Sequence, residues 1–316
     1  MTQPLTTTGQ KTLLKIVQEV MGEFGLPTPQ TVISNNDKTV RQLLVHATRV
    51  GEDLAARGSM NDGWPVMRKE YTFNLVGYGG YTGNTTKGSN VITGMSSVAN
   101  IAVGMIGSST TIPYGAAVTA VDPVLMTVTI NQVATATVNG SNFSFGQESY
   151  PIPADADHFI QHTGWDRSFR WQLVGPLSPQ EWQVLKSGIS PTGPRLRFRI
   201  MDGQIFVNPV PASLDNLVLE YYSTGWCQSA TGVAQNAWAA DTDTPVLQDR
   251  LFILGMIARF LNRKGFDSST AQREYDDAVE AAIGRAGGSR VLPLNARAEP
   301  PVLLGSANVP DTGFGS

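Results

Sequence analysis

Residues 161–188, QHTGWDRSFRWQLVGPLSPQEWQVLKSG, hold Trp165, Trp171 and Trp182, half of the six tryptophans in the chain. No helical or strand period runs through the segment before Pro179. Aromatic surface of this size must be covered by something, or it invites association. From Ser178 onward the pattern sharpens. Ser178 as N-cap, Pro179 in the first turn and Glu181 at the third position form a capping-box signature, and Gly188 ends the short helix. The interleaved Trp165, Arg167, Phe169, Arg170 and Trp171 offer a stacking surface for single-stranded bases. The chain has a formal net charge of −3 and no basic excess. A packing role therefore fits better, and Trp165, Arg167, Trp171 and Trp182 are read as structural anchors.

Working outward, three strands are expected at 196–200, 204–207 and 217–223. Asp202-Gly203 between the first two is a hairpin signal. A polar loop at 225–242 follows. Thr244 and Pro245 then open a helix whose apolar face is Leu251, Leu254, Ile257, Ala258 and Leu261. Its mate starts at Ser268 and carries Ala271, Tyr275, Ala278, Val279, Ala282 and Ile283. Gly287-Gly288 ends it. Residues 289–316 have no regular period. Pro293, Pro300, Pro301 and Pro310 keep the chain extended, while Val291, Leu292, Leu294, Val302, Leu303, Leu304, Val309 and Phe314 are apolar side chains with no local core.

Toward the N-terminus, Leu13, Leu14, Val17, Val20, Met21 and Phe24 predict an amphipathic helix over 11–24. A second helix, capped by Asn36 or Asp37, runs to about Arg57. Residues 66–76 read as a strand, with Tyr71, Phe73 and Leu75 on one face and Glu70, Thr72 and Asn74 on the other. From Gly83 to Gly146 the only charged residues are Lys87 and Asp122. Short β-branched runs at 89–93, 118–122, 127–131 and 142–145 predict a small all-β unit inserted into a host domain. The fold class is α+β. Residues 1–82 and 147–288 form a discontinuous core domain, with two N-terminal and two C-terminal helices in a bundle beside a small antiparallel β layer. Residues 83–146 are the inserted β domain and 289–316 the extended arm.

With 316 residues, 41% apolar and 16% charged, the chain can bury one large core or two smaller ones. No apolar run of about 18 residues is present, so no membrane partner is expected. The polar N-terminus does not read as a secretory signal, and a lone cysteine, Cys227, excludes an intrachain disulfide. His158 and His162, with Asp155, Asp157 and Asp166 nearby, are the one spacing that suggests metal; surrounding prolines and Gly164 argue against the helix it needs. No nucleophile elbow, phosphate loop or zinc-hydrolase motif occurs. The expectation is no catalytic residue, no metal, no cofactor and no enzyme activity.

The segment TGWDRSFRWQLVGPLSPQEWQVLKSG (163–188) resembles the head-to-tail adaptor, or connector, proteins of tailed bacteriophages. The likeness continues through LRFRIMDGQIFVNPVP, LVLEYYSTGWCQ, ADTDTPVLQDRLFILGMIARFLNRKGFD and YDDAVEAAIGRAGGSRVLPL, and through the N-terminal helices and VMRKEYTF. The insertion resembles a small β module of phage structural proteins and departs from compact adaptors. The resemblance implies a virion protein of the neck, assembled in the bacterial host's cytoplasm. It implies a homo-oligomeric, dodecameric ring under the portal protein, joined to tail proteins and lining the channel through which double-stranded DNA passes without sequence-specific binding. It also assigns residues 289–316 as the portal-binding arm. A tail nozzle or tail-tube ring component, and a structural protein carrying a cell-wall hydrolase activity, are the alternatives.

Overall fold

The computed structural model describes residues 10–60, 64–187 and 195–287, and shows a mixed α+β protein. Helix α1 spans Leu13–Glu23, capped by Thr12, whose Oγ1 accepts from the Lys15 amide. Helix α2, Lys38–Met60, starts at Asp37, whose Oδ1 accepts from the amides of Thr39 and Val40. A short 3-10 turn, Pro65–Met67, leads into β1, Arg68–Asn74. Then come β2 (Gly77–Thr85), β3 (Val91–Ile92), β4 (Ile106–Ser108), β5 (Ala116–Asp122), β6 (Thr127–Ile130) and β7 (Val138–Gly146). Strands β8 (Ser149–Pro151), β9 (Ala156–Phe159), β10 (Trp165–Asp166) and β11 (Trp171–Gln172) precede α3, Pro179–Lys186. After it lie β12 (Arg197–Met201), β13 (Gln204–Asn208), β14 (Asn216–Ser223), β15 (Cys227–Gln228), β16 (Ala234–Gln235) and β17 (Thr244–Pro245). Helices α4 (Asp249–Lys264) and α5 (Ser269–Gly287) close the described chain.

Helix α4 packs against α1, α2 and α5. Leu13, Ile16, Val17, Leu43, Ala47, Val50, Leu251, Phe252, Met256, Tyr275 and Val279 meet in one core, as the helical spacing requires. Trp226 and Trp238 close that core from the 225–245 segment. Their rings lie 5.2 Å apart edge-to-face, and both contact Phe252. The expectation of a polar loop there is corrected. The segment forms the sheet β16-β15-β17, and it ties down the start of α1 and the loop that follows it. The carbonyls of Asp243 and Asp241 accept the Leu13 and Leu14 amides, and Asp241 Oδ1 accepts those of Val32 and Ile33. The start of α4 also moves: Thr244 and Pro245 pair with Gln228 and Cys227 as a strand, and the helix begins at Asp249. Proline has no amide to donate, which suits an edge strand as well as a first helical turn.

A second layer is built on β14. One edge pairs antiparallel with β1 along its whole length, Arg68↔Tyr222 to Asn74↔Asn216; β9 and β10 pair with β14 in succession, and β11 pairs with β10. The β12–β13 hairpin turns through Asp202 and Gly203, both at positive φ (52° and 67°), and β8 pairs with β13. Leu75, Tyr150, Leu173, Phe198, Ile205, Val207, Leu217 and Leu219 fill the space between these two sheets.

The third unit is a six-stranded antiparallel sheet in the order β2-β7-β4-β5-β6-β3. A bridge between Asn84 and Thr93 ties its two edges, so it nearly closes into a barrel around Ile92, Val118, Val128, Ile130, Phe143 and Phe145. It takes in Gly77–Tyr81, residues assigned to the host from sequence. Gly77 pairs with Gly146, and a Cβ at either would lie 2.3 Å from the Pro211 carbonyl oxygen. No side chain fits where the two chain crossings press on the 209–211 turn. Asn208 Nδ2 also donates to the Tyr114 hydroxyl across this seam.

Candidate interaction surface

The tryptophan segment, expected to be irregular up to Pro179, is a hairpin added to the edge of β14. Trp165 faces Gln172 and Asp166 faces Trp171 across it. Its turn is built by Asp166, which is buried. Asp166 Oδ1 accepts the amides of Ser168 (2.9 Å) and Phe169 (3.0 Å), an Asx turn. The amide of Arg167 donates to the Asn216 carbonyl, and Ser168 Oγ accepts from the Asn216 amide. Arg170 completes the reversal with φ at 60°. Arg167 Nη2 reaches Glu70 Oε2 on β1 at 2.8 Å, an exposed ion pair worth at most about 1 kcal/mol.

What this rigid turn presents is aromatic. Phe169 is 56% exposed and Trp171 42% exposed, with ring centroids 6.1 Å apart. Beside them a cavity of about 460 Å³ is lined by Thr163, Trp165, Arg170, Val218 and the carboxylates Glu70 and Glu220, among others. Trp165 is half-buried. Trp182, on α3, is only 4% exposed and packs edge-to-face on Phe206, with Lys186 Nζ 5.5 Å from its ring centroid. The requirement that the aromatic cluster be covered is thus met at Trp182 and not at Trp171 or Phe169 within one chain. Among the described residues the capping box on α3 is complete: Ser178 Oγ accepts from the Glu181 amide and Glu181 Oε2 from the Ser178 amide.

An exposed Phe–Trp pair flanked in sequence by Arg167 and Arg170, next to a cavity lined by Glu70 and Glu220, has the composition of a protein-contact hot spot. It is a poor phosphate track, because Glu70, Asp166 and Glu220 offset its arginines.

The other sequence candidates fall apart as chemistry. His158 lies on β9 with Nδ1 against Asp157 Oδ2 at 2.7 Å, and His162 sits in a positive-φ turn, so no helix aligns them. Among the described residues no group of three or more His, Cys, Asp or Glu is arranged to hold a metal ion. Asp155 serves structure. Although burial works against its charge, hydrogen bonds from Lys69, Ser223 and Tyr221 hold it below the usual carboxylate range. The Cys227 thiol is buried, faces the carbonyls of Gln235 and Ala237, and is pushed up to about 12 by burial and by Asp243. A cavity of about 530 Å³ between α2 and the 222–226 segment is lined by Glu52, Asp157 and Ser223, whose Oγ is engaged as a donor to Asp155. No helix among the described residues is long and apolar enough to cross a membrane. The proposed arm and its side chains Val291, Leu292, Leu294, Val302, Leu303, Leu304, Val309 and Phe314 lie outside the described residues.

Compared with known proteins, the chain matches no family model and no curated protein sequence.

Proposed function

We propose that this protein is a structural ring component of a phage neck, a head-to-tail adaptor that docks beneath the portal. The observation that carries the reading is the Phe169–Trp171 pair, held out to solvent on a turn locked by Asp166, in a chain with net charge −3. An aromatic pair held rigidly in the open forms contacts at low entropic cost. In this reading α1, α2, α4 and α5 make a four-helix body, and the hairpin contacts the neighbouring copy in a dodecameric ring. Residues 289–316 are the segment assigned to portal binding. The barrel of 77–146 stands at the surface toward tail proteins, and DNA traverses the ring without sequence-specific contact. The protein acts without cofactor or catalysis, in the virion, after assembly in the bacterial cytoplasm.

The test is binding to the portal ring from the same source. Full-length protein binds and oligomerises on it; deleting 289–316 abolishes binding, and Phe169→Ser with Trp171→Ser permits binding but not ring closure. Binding to tail protein instead of portal moves the assignment to a nozzle or tail-tube ring.

A further inference from the structure

His46 on α2 is 3% exposed, yet neither ring nitrogen has a hydrogen-bond partner among the described residues. A buried polar group without a partner is costly, and in a folded chain it asks for an explanation. The imidazole lines a cavity of about 270 Å³ whose other walls are Arg49 on α2 and Arg259, Asn262 and Arg263 on α4. That is the volume of several waters, each of about 30 Å³. Arg49 and Arg263 make no ion pair among the described residues, and Arg259 has only a long contact to Asp53, at 3.6 Å. Arg263 and Lys264 complement the C-terminal end of the α4 dipole. That accounts for neither Arg49 nor the buried ring beneath them.

We propose that this α2–α4 cleft binds a phosphate-type oxyanion, cradled by Arg49, Arg259 and Arg263 with Asn262 and the His46 ring as further donors. Three guanidinium forks and an amide offer more N–H groups than the two oxygens of a carboxylate accept, whereas a tetrahedral oxyanion takes them from several directions. The phosphate is either free or part of a nucleic-acid backbone. Burial and the positive charges of Arg259, Arg49, Arg263 and Lys264 drive the His46 pKa down to about 4. A bound dianion reverses the electrostatic part of that effect and draws a proton onto the ring.

The experiment uses the full chain, titrated with inorganic phosphate, with acetate and with a short DNA duplex, and followed by calorimetry and by the His46 ring resonances. Phosphate is expected to bind saturably and move the His46 signals, and Arg49→Gln with Arg263→Gln to weaken it at least about tenfold. Both side chains are exposed, so the double variant still folds and melts cooperatively in phosphate-free buffer. A duplex that competes with phosphate for the same arginines identifies a backbone phosphate as the source; a silent duplex identifies free phosphate. Absence of saturation with a still His46 signal, undiminished binding in the double variant, or acetate binding as tightly as phosphate each overturns the site.

Discussion

At position 51 on α2 there is no room for a methyl group: a Cβ would lie 2.3 Å from Cε3 of Trp226. Gly51→Ala is therefore expected to cost about 1–3 kcal/mol by overpacking, despite alanine's better helix propensity, and to perturb the near-ultraviolet tryptophan signal. The tryptophans of the 161–188 segment should divide in the same assay. Trp182→Ala opens a cavity beside Phe206 and costs about 3–5 kcal/mol, whereas Trp171→Ala, with its exposed ring, stays within about 0.5 kcal/mol. A reversed order in thermal melts would contradict the placement of the two rings. His46 supplies a pH dependence. Its folded pKa, about 4, lies below the unfolded 6.5, so the unfolded chain takes up the proton first. The stability contributed by the neutral ring is whole above 6.5 and falls as pH drops toward about 4. His46→Gln should flatten that part of the melting-temperature profile. The ring's place could be suspected from sequence, since His46 adjoins the Leu43, Ala47, Val50 stripe. The three arginines around it could not be, because two of them come from a helix some 210 residues away in the chain.

Among the elements, those specified by local chemistry were readable and those specified by distant partners were not. The Ser178-Pro179-Glu181 box and the Asp202-Gly203 hairpin each need only neighbouring residues, and both form where the sequence places them. Strands of two residues have no period to read. β10 and β11 exist because β14 supplies an edge for Trp165 and Asp166, and β15 and β17 because Trp226 and Trp238 must reach Phe252. The exposed aromatic tip escaped for the same reason. The run of tryptophans was plain, but which of them is covered depends on where the hairpin docks. Asp166 is the residue that fixes it. Asp166→Ala removes the acceptor for two amides and is expected to cost about 1–3 kcal/mol, with faster hydrogen exchange at residues 167–171. Slow exchange there in the variant would show that the β14 pairing alone holds the turn.

Across the whole molecule, the β2–β7 barrel has its own core, and its entry and exit strands are paired at Gly77 and Gly146. Joining residues 77 and 146 by a short Gly/Ser bridge should leave a folded, soluble α+β remainder with the same helical circular dichroism. Insolubility would mean that the Tyr114–Asn208 seam is part of the main core. The abrupt fall in charge after Gly83 marked this unit in the sequence, but its first strand begins at Gly77 because glycine is needed against Pro211, a contact with no local signature. The central claim, that this chain closes as a ring on a portal, is tested most directly by electron microscopy of the purified protein with and without the portal ring from the same source. The adaptor reading expects a ring that appears, or grows beneath the portal, only in the mixture. A stable ring or tube formed without portal, and no binding to it, would contradict the adaptor reading and assign the chain to the tail.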